Sequence, residues 1–213
     1  MKEIFLILLL APSTPMYAQI FSFGVKGGIP VTNTFPGNPA GTYFRRYVVG
    51  PTAEVHLPFH LAFEVDALYR RSGLGATFIT YQFGGPPYPP LEGTDRSRVD
   101  DWQVPFLAKW EPGARFVRPF IDGGVTYRHV SGQTQTQFFS VTGTVIFPES
   151  GAPTNSPNTA GVTVGGGFAV KLPVIHVWPE IRYTHWPSPP AVGTYGFQVM
   201  SANQVDVLVG ITF

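Results

Sequence analysis

Apolar residues fall at every second position through eight separate stretches of this chain, with polar or small residues in the places between. A strand points successive side chains to opposite faces, so each stretch reads as a strand with one apolar and one polar side. The last is the cleanest. In Asn203-Gln-Val-Asp-Val-Leu-Val-Gly-Ile-Thr-Phe213, the residues Val205, Val207, Val209, Ile211 and Phe213 share one face, against Gln204, Asp206, Leu208, Gly210 and Thr212. The seven strands before it are placed at 21–29, 47–57, 61–70, 101–110, 116–129, 161–172 and 175–183.

The connections alternate in length. Those at 58–60, 111–114 and 172–174 are tight turns, whereas about 30–46, 72–98, 130–160 and 187–202 are long loops rich in glycine and proline. Gly84-Gly-Pro-Pro-Tyr-Pro-Pro90 is excluded from a central strand, because proline lacks the N–H that a ladder needs. Within 130–159, the segments 133–137 and 143–147 are suited to a hairpin projecting past the other strands. Each strand approaches the ~9–11 residues that cross a bilayer at a tilt. The expectation is an all-β fold: an eight-stranded antiparallel up-and-down transmembrane β-barrel, with short periplasmic turns and long extracellular loops.

Alternation alone does not say which face is outside. A soluble barrel turns its apolar set inward and a membrane barrel turns it to lipid. An eight-stranded lumen has little room for so many large apolar side chains, and no charge interrupts the apolar face in mid-strand. Aromatics on that face also gather at strand ends. Tyr47, Tyr69, Trp102, Tyr127 and Tyr183 stand beside the long loops; Phe21, Trp110 and Phe213 stand at the other rim. Two such girdles suit the two interfaces of a membrane, where amphipathic rings are favoured.

Composition agrees. Only 13% of residues are charged and 15% are aromatic, with 24 glycines and 22 prolines, a profile of strands and turns. A net charge of +1 argues against nucleic acid as a partner, and no apolar run reaches the ~20 residues of a spanning helix. Ile4 to Ala11 forms a short apolar segment behind Lys2, and Met16-Tyr17-Ala18 offers a cleavage site. Residues 1–18 therefore read as a secretory signal peptide and 19–213 as the barrel domain. There is no cysteine, so stability must come from burial and closure, without disulfides.

Taken together, the alternating strands and the terminal Val205–Phe213 pattern resemble the small eight-stranded outer-membrane barrels of the OmpA barrel domain and OmpX kind. The resemblance implies a bacterial outer-membrane location and a monomer. It implies outer-membrane lipid and lipopolysaccharide as surroundings, and the barrel-assembly machinery as a partner that reads the C-terminal aromatic. It transfers no catalytic residue and no cofactor.

With the apolar set facing lipid, Lys26, Glu54, Glu64, Asp66, Arg70, Asp101, Lys109, Asp122, Arg128, Lys171, Glu180, Arg182 and Asp206 point inward. Unpaired buried charge is costly, so these are expected to form hydrogen-bonded ion pairs that plug the lumen. One fragment has catalytic character. His129-Val-Ser131 resembles the His-x-Ser pair of the outer-membrane lipid A deacylase PagL, and parity turns both residues outward near the long-loop rim. The resemblance implies a histidine base and a serine nucleophile, with a third group needed to orient the ring. Gly132 stands where that family has asparagine, and no acid follows before Glu149. The other histidines, His56, His60, His176 and His185, share no metal-ligand spacing, and no metal is assigned.

Overall fold

A computed structural model describes residues 20–34, 44–81, 90–113, 117–140, 145–155, 158–172, 174–189, 191–192 and 198–213. The proposed signal peptide and the proline-rich 84–89 stretch lie outside the described residues. Strands run in chain order as β1 (Phe21–Pro30), β2 (Phe44–Leu57), β3 (Leu61–Asp66), β4 (Leu68–Tyr81), β5 (Pro90–Trp110), β6 (Val117–Ser140), β7 (Val145–Asn155), β8 (Thr159–Lys171), β9 (His176–His185), β10 (Ala191–Val192), β11 (Gln198–Val199) and β12 (Asn203–Thr212).

Every pairing is antiparallel, and the sheet closes on itself. β1 pairs with β2 on one side and with β12 on the other, with Gly24 opposite Thr212 and Pro30 opposite Asp206. The ring then continues through β3 and β4, β5, β6, β8 and β9 back to β12. β3 and β4 occupy one ring position, because both lie between β2 and β5. Their separation has a local cause. The shared register sets Ala67 opposite Pro51, and proline has no N–H to return to the ladder. Ala67 still donates its own N–H to the Pro51 carbonyl at 3.0 Å. The result is an eight-stranded up-and-down barrel, as the alternation predicts.

Two of the expected long loops are instead largely strand. β4 and β5 stay paired from Leu68–Gln103 out to Tyr81–Pro90, and β5 and β6 from Trp110–Ile121 out to Leu91–Ser140. β7 adds to the far end of β6. The expected hairpin of 133–137 with 143–147 is not the pairing formed: Gln133 to Thr136 lie opposite Pro153 to Ser150, in a larger sheet that stands above one rim. Proline and glycine content marked these stretches as loops. Antiparallel pairing overrides that signal, because a hairpin continues wherever both arms keep supplying donors and acceptors.

The faces are inverted relative to a soluble protein. Phe23 is 63% exposed, Ile121 60% and Ile181 62%, whereas Lys26, Glu54 and Asp101 are fully buried. Closure brings backbones close at the seam. A Cβ on Gly24 would sit 1.8 Å from the Ile211 carbonyl oxygen, and one on Gly28 2.0 Å from that of Val207. Only glycine fits there.

Candidate functional site

The barrel interior is built by the polar face of each strand, and it divides into two layers. Near the long-strand rim, Arg70 of β4 donates to both carboxylate oxygens of Asp206 on β12, at 2.8 and 3.0 Å. Arg128 of β6 grips Asp101 of β5 through Nε at 3.0 Å and Nη2 at 2.6 Å. Gln103 donates to Asp101 at 2.9 Å and to Gln204 at 3.1 Å, and Gln204 in turn donates to Asp206 at 2.6 Å. Two guanidinium groups thus meet two carboxylates. The fully buried Trp186 lies over Arg128, 4.8 Å from its guanidinium carbon, and donates to Gln204 at 3.3 Å.

Nearer the short turns, Lys26 of β1 contacts Glu64, Glu180 at 2.9 Å and Asp66 at 3.5 Å. Arg182 of β9 spans the same three carboxylates: Glu180 at 2.5 Å, Asp66 at 2.8 Å and Glu64 at 2.8 Å. Lys109 of β5 lies 2.5 Å from Glu64 and 3.3 Å from Glu54, with its ammonium 3.6 Å from the centre of the Trp178 ring. Between the layers Thr126, Thr163 and Thr184 form a hydroxyl ladder at 2.5 and 3.0 Å. This lumen is filled with side chains.

Three described members of the inward set depart from the expected hydrogen-bonded pairing. Neither oxygen of Asp122 accepts a hydrogen bond, and the buried Glu54 and Lys109 meet as an ion pair that lacks hydrogen-bond geometry. The side chain of Lys171 lies outside the described residues.

On the outer face the aromatic residues form a band below the projecting sheet. Tyr47 and Tyr69 lie 6.5 Å apart, Tyr69 and Trp102 5.1 Å apart, and Trp102 pairs in register with His129. Tyr127 and Tyr183 extend the same level on β6 and β9, with the Tyr183 hydroxyl donating to Asn203 at 2.7 Å. Trp110 and Phe213 are exposed at the opposite rim. His129 and Ser131 both face outward on β6, and Ser131 stands opposite Asp100 of β5. The Nδ1 of His129 lies 2.7 Å from Oδ1 of Asn158, just before β8. Sequence reasoning missed Asn158, since it searched for a carboxylate along the chain and not for an amide beyond the next hairpin.

No protein-family model matches the chain, and no curated protein matches it. Among solved structures it is similar to Neisserial surface protein A, at 12% identity and a TM-score of 0.42, over 92% of this chain and 98% of that one. It is also similar to the N-terminal β-barrel domain of OprF from Pseudomonas aeruginosa, at 11% identity and a TM-score of 0.37, over 90% and 97% of the two chains.

Proposed function

We propose that this protein is an integral, monomeric β-barrel of the bacterial outer membrane, with a plugged interior, no open pore, and a surface-interaction role for the sheet above its rim. The observation that carries the reading is the inversion of its faces. Bulky apolar side chains are exposed around the wall while Lys26, Glu54 and Asp101 have no contact with solvent. Water would not tolerate an apolar belt of that extent on a monomer, whereas hydrocarbon solvates it. From Trp110 to Trp102, eight residues of tilted strand rise about 20 Å, near the height of the apolar band of such barrels.

Above the aromatic level β5 and β6 continue as paired strands, and among the described residues β7 pairs with β6 alone. An open strand edge can accept a strand from a partner, which supports the surface role. Outward-facing Arg71, Arg96 and Arg98 stand on this sheet just beyond Trp102. Their position suits the anionic headgroups of outer-membrane lipid and lipopolysaccharide. Expression in a Gram-negative host tests the proposal. The protein should fractionate with the outer membrane, migrate faster unheated than boiled, and give no conductance in planar bilayers. Recovery as a soluble periplasmic protein would overturn it.

One observation favours a second reading, a lipid A-modifying esterase. With its Nδ1 donating to Asn158, the imidazole of His129 leaves Nε2 as the proton acceptor, the tautomer a general base needs. Ser131, two residues on along the same face, would then pass its proton to His129 and attack the acyl carbonyl of a lipid ester. The ester C–O bond breaks, the alcohol leaves with that proton, and water hydrolyses the acyl-serine to release the fatty acid. Folded protein supplied with lipid A should release fatty acid, and Ser131→Ala should abolish the release. No release by the folded parent protein removes this reading.

A further inference from the structure

We infer that Glu54, His56 and Glu111 form a binding site for one divalent metal ion of the zinc class, at the short-turn mouth of the barrel. Glu54 and His56 are alternate residues on the inner face of β2, and Glu111 follows the last residue of β5. One ligand atom from each lies within 4.8 Å of the other two. Tetrahedral zinc, with bonds of about 2.0–2.2 Å, holds its ligand atoms about 3.5 Å apart. Closing to that spacing takes side-chain shifts of up to about 1 Å, and His56 is the partly exposed member of the three.

Unsatisfied acceptors at this end of the barrel point to a cation independently. In the lower layer Glu54, Glu64, Asp66, Asp122, Glu180 and Glu111 are all buried. Buried acceptors without hydrogen bonds are rare and call for an explanation such as an ion, and both oxygens of Glu54 are of this kind. Its Oε1 lies 3.9 Å from Nε2 of His56, so the carboxylate is aimed at the proposed centre.

The ligand set matches the metal class. Two carboxylates and an imidazole suit zinc better than magnesium or calcium, which favour oxygen alone. Three protein ligands leave a fourth position for water, on the side where His56 opens to solvent. Lys109 lies 3.3 Å from Oε1 of Glu54, the same oxygen that faces His56, so its ammonium and the ion would share that carboxylate. The chain-wide search for histidine spacing could not find this site, because two of its three ligands are carboxylates and one comes from another strand.

The experiment is a zinc titration of the full-length folded barrel in detergent micelles, after treatment with chelator, followed by calorimetry and native mass spectrometry. One zinc ion should bind per barrel. Glu111→Gln and His56→Ala should each weaken binding at least about tenfold. His129→Ala and His185→Ala, at the other rim, should leave it unchanged. His56 is partly exposed, so His56→Ala keeps the test open should a variant of a buried carboxylate fail to fold, with heat-modifiable mobility reporting folding. No stoichiometric zinc, or zinc retained in His56→Ala and lost in His129→Ala, overturns the assignment.

Discussion

Arg70 and Asp206 are 136 residues apart in the chain, yet a single guanidinium nitrogen of Arg70 lies 2.8 and 3.0 Å from the two carboxylate oxygens of Asp206. Both groups are buried, and the next carboxylate to Arg70, that of Asp101, stands 3.8 Å from its Nε. Removing one partner would leave a buried charge with no strong contact. Asp206→Leu is therefore expected to cost about 3–5 kcal/mol, read as a lower urea midpoint for the folded band on a gel. Arg70→Met with Asp206→Leu should recover most of that loss, since the double variant removes both desolvated charges. Equal losses in the single and double variants would mean that the pair is not coupled.

Val207 is next to Asp206 but faces the other way, 39% exposed on the apolar wall. Val207→Arg is expected to reduce assembly into the outer membrane, at a cost of about 2–4 kcal/mol for a charge near the midplane of the lipid face. Deleting Phe213 should also reduce assembly, because its N–H closes the seam to the Phe23 carbonyl at 3.0 Å. Asp206→Asn should insert normally and lower only the unfolding midpoint. Normal insertion of Val207→Arg together with failure of Asp206→Asn would reverse the assignment of faces.

The β1–β12 seam separates two adjacent glycines. Gly28 approaches the Val207 carbonyl so closely that Gly28→Ala would collide with backbone, whereas a Cβ on Gly27 meets nothing nearer than the Val48 carbonyl oxygen at 3.6 Å. Gly28→Ala is expected to reduce the yield of heat-modifiable barrel sharply. Gly27→Ala should fold as the parent does. Similar yields for the two variants would mean that the seam does not set this requirement.

Most of the barrel was legible because a period of two survives any loop length. The parity of Val205 to Phe213 groups one face and puts Asp206 on the other, and the aromatic rims with the uncharged apolar face then say which is outside. Partners were not legible. Lys26 meets Glu64 and Glu180, and Lys109 meets Glu54, through the tilt and stagger of closure, which no local pattern encodes. The extent of β4 to β7 was hidden for another reason. Gly73, Gly75, Gln133 and Gln135 have little strand preference, and they pair because the neighbouring strands already run alongside. Asn158 was invisible because its relation to His129 exists only once β8 has folded beside β6.

At the rim beyond the aromatic band, Arg71 donates to Asp100 at 2.7 Å through Nε, and the Tyr69 hydroxyl donates to the same oxygen at 2.5 Å. Partial burial pushes the Asp100 carboxyl up, but the hydrogen bonds from Arg71 and Tyr69 outweigh it and hold the group below its ordinary 3.8. A carboxyl lowered by folding stabilises the folded state above its unfolded value, and that contribution fades as pH falls through the folded value. Arg71 is well exposed, so the contribution is small and salt-sensitive. The gap in urea midpoint between the parent protein and Asp100→Asn should hold steady above about pH 5 and shrink below about pH 4. Taking the difference between the two proteins removes the titration of every other carboxylate, the buried layer included. A gap that widens as the solution is acidified would show that Asp100 is held in its protonated form, and that the contact with Arg71 does not govern this rim.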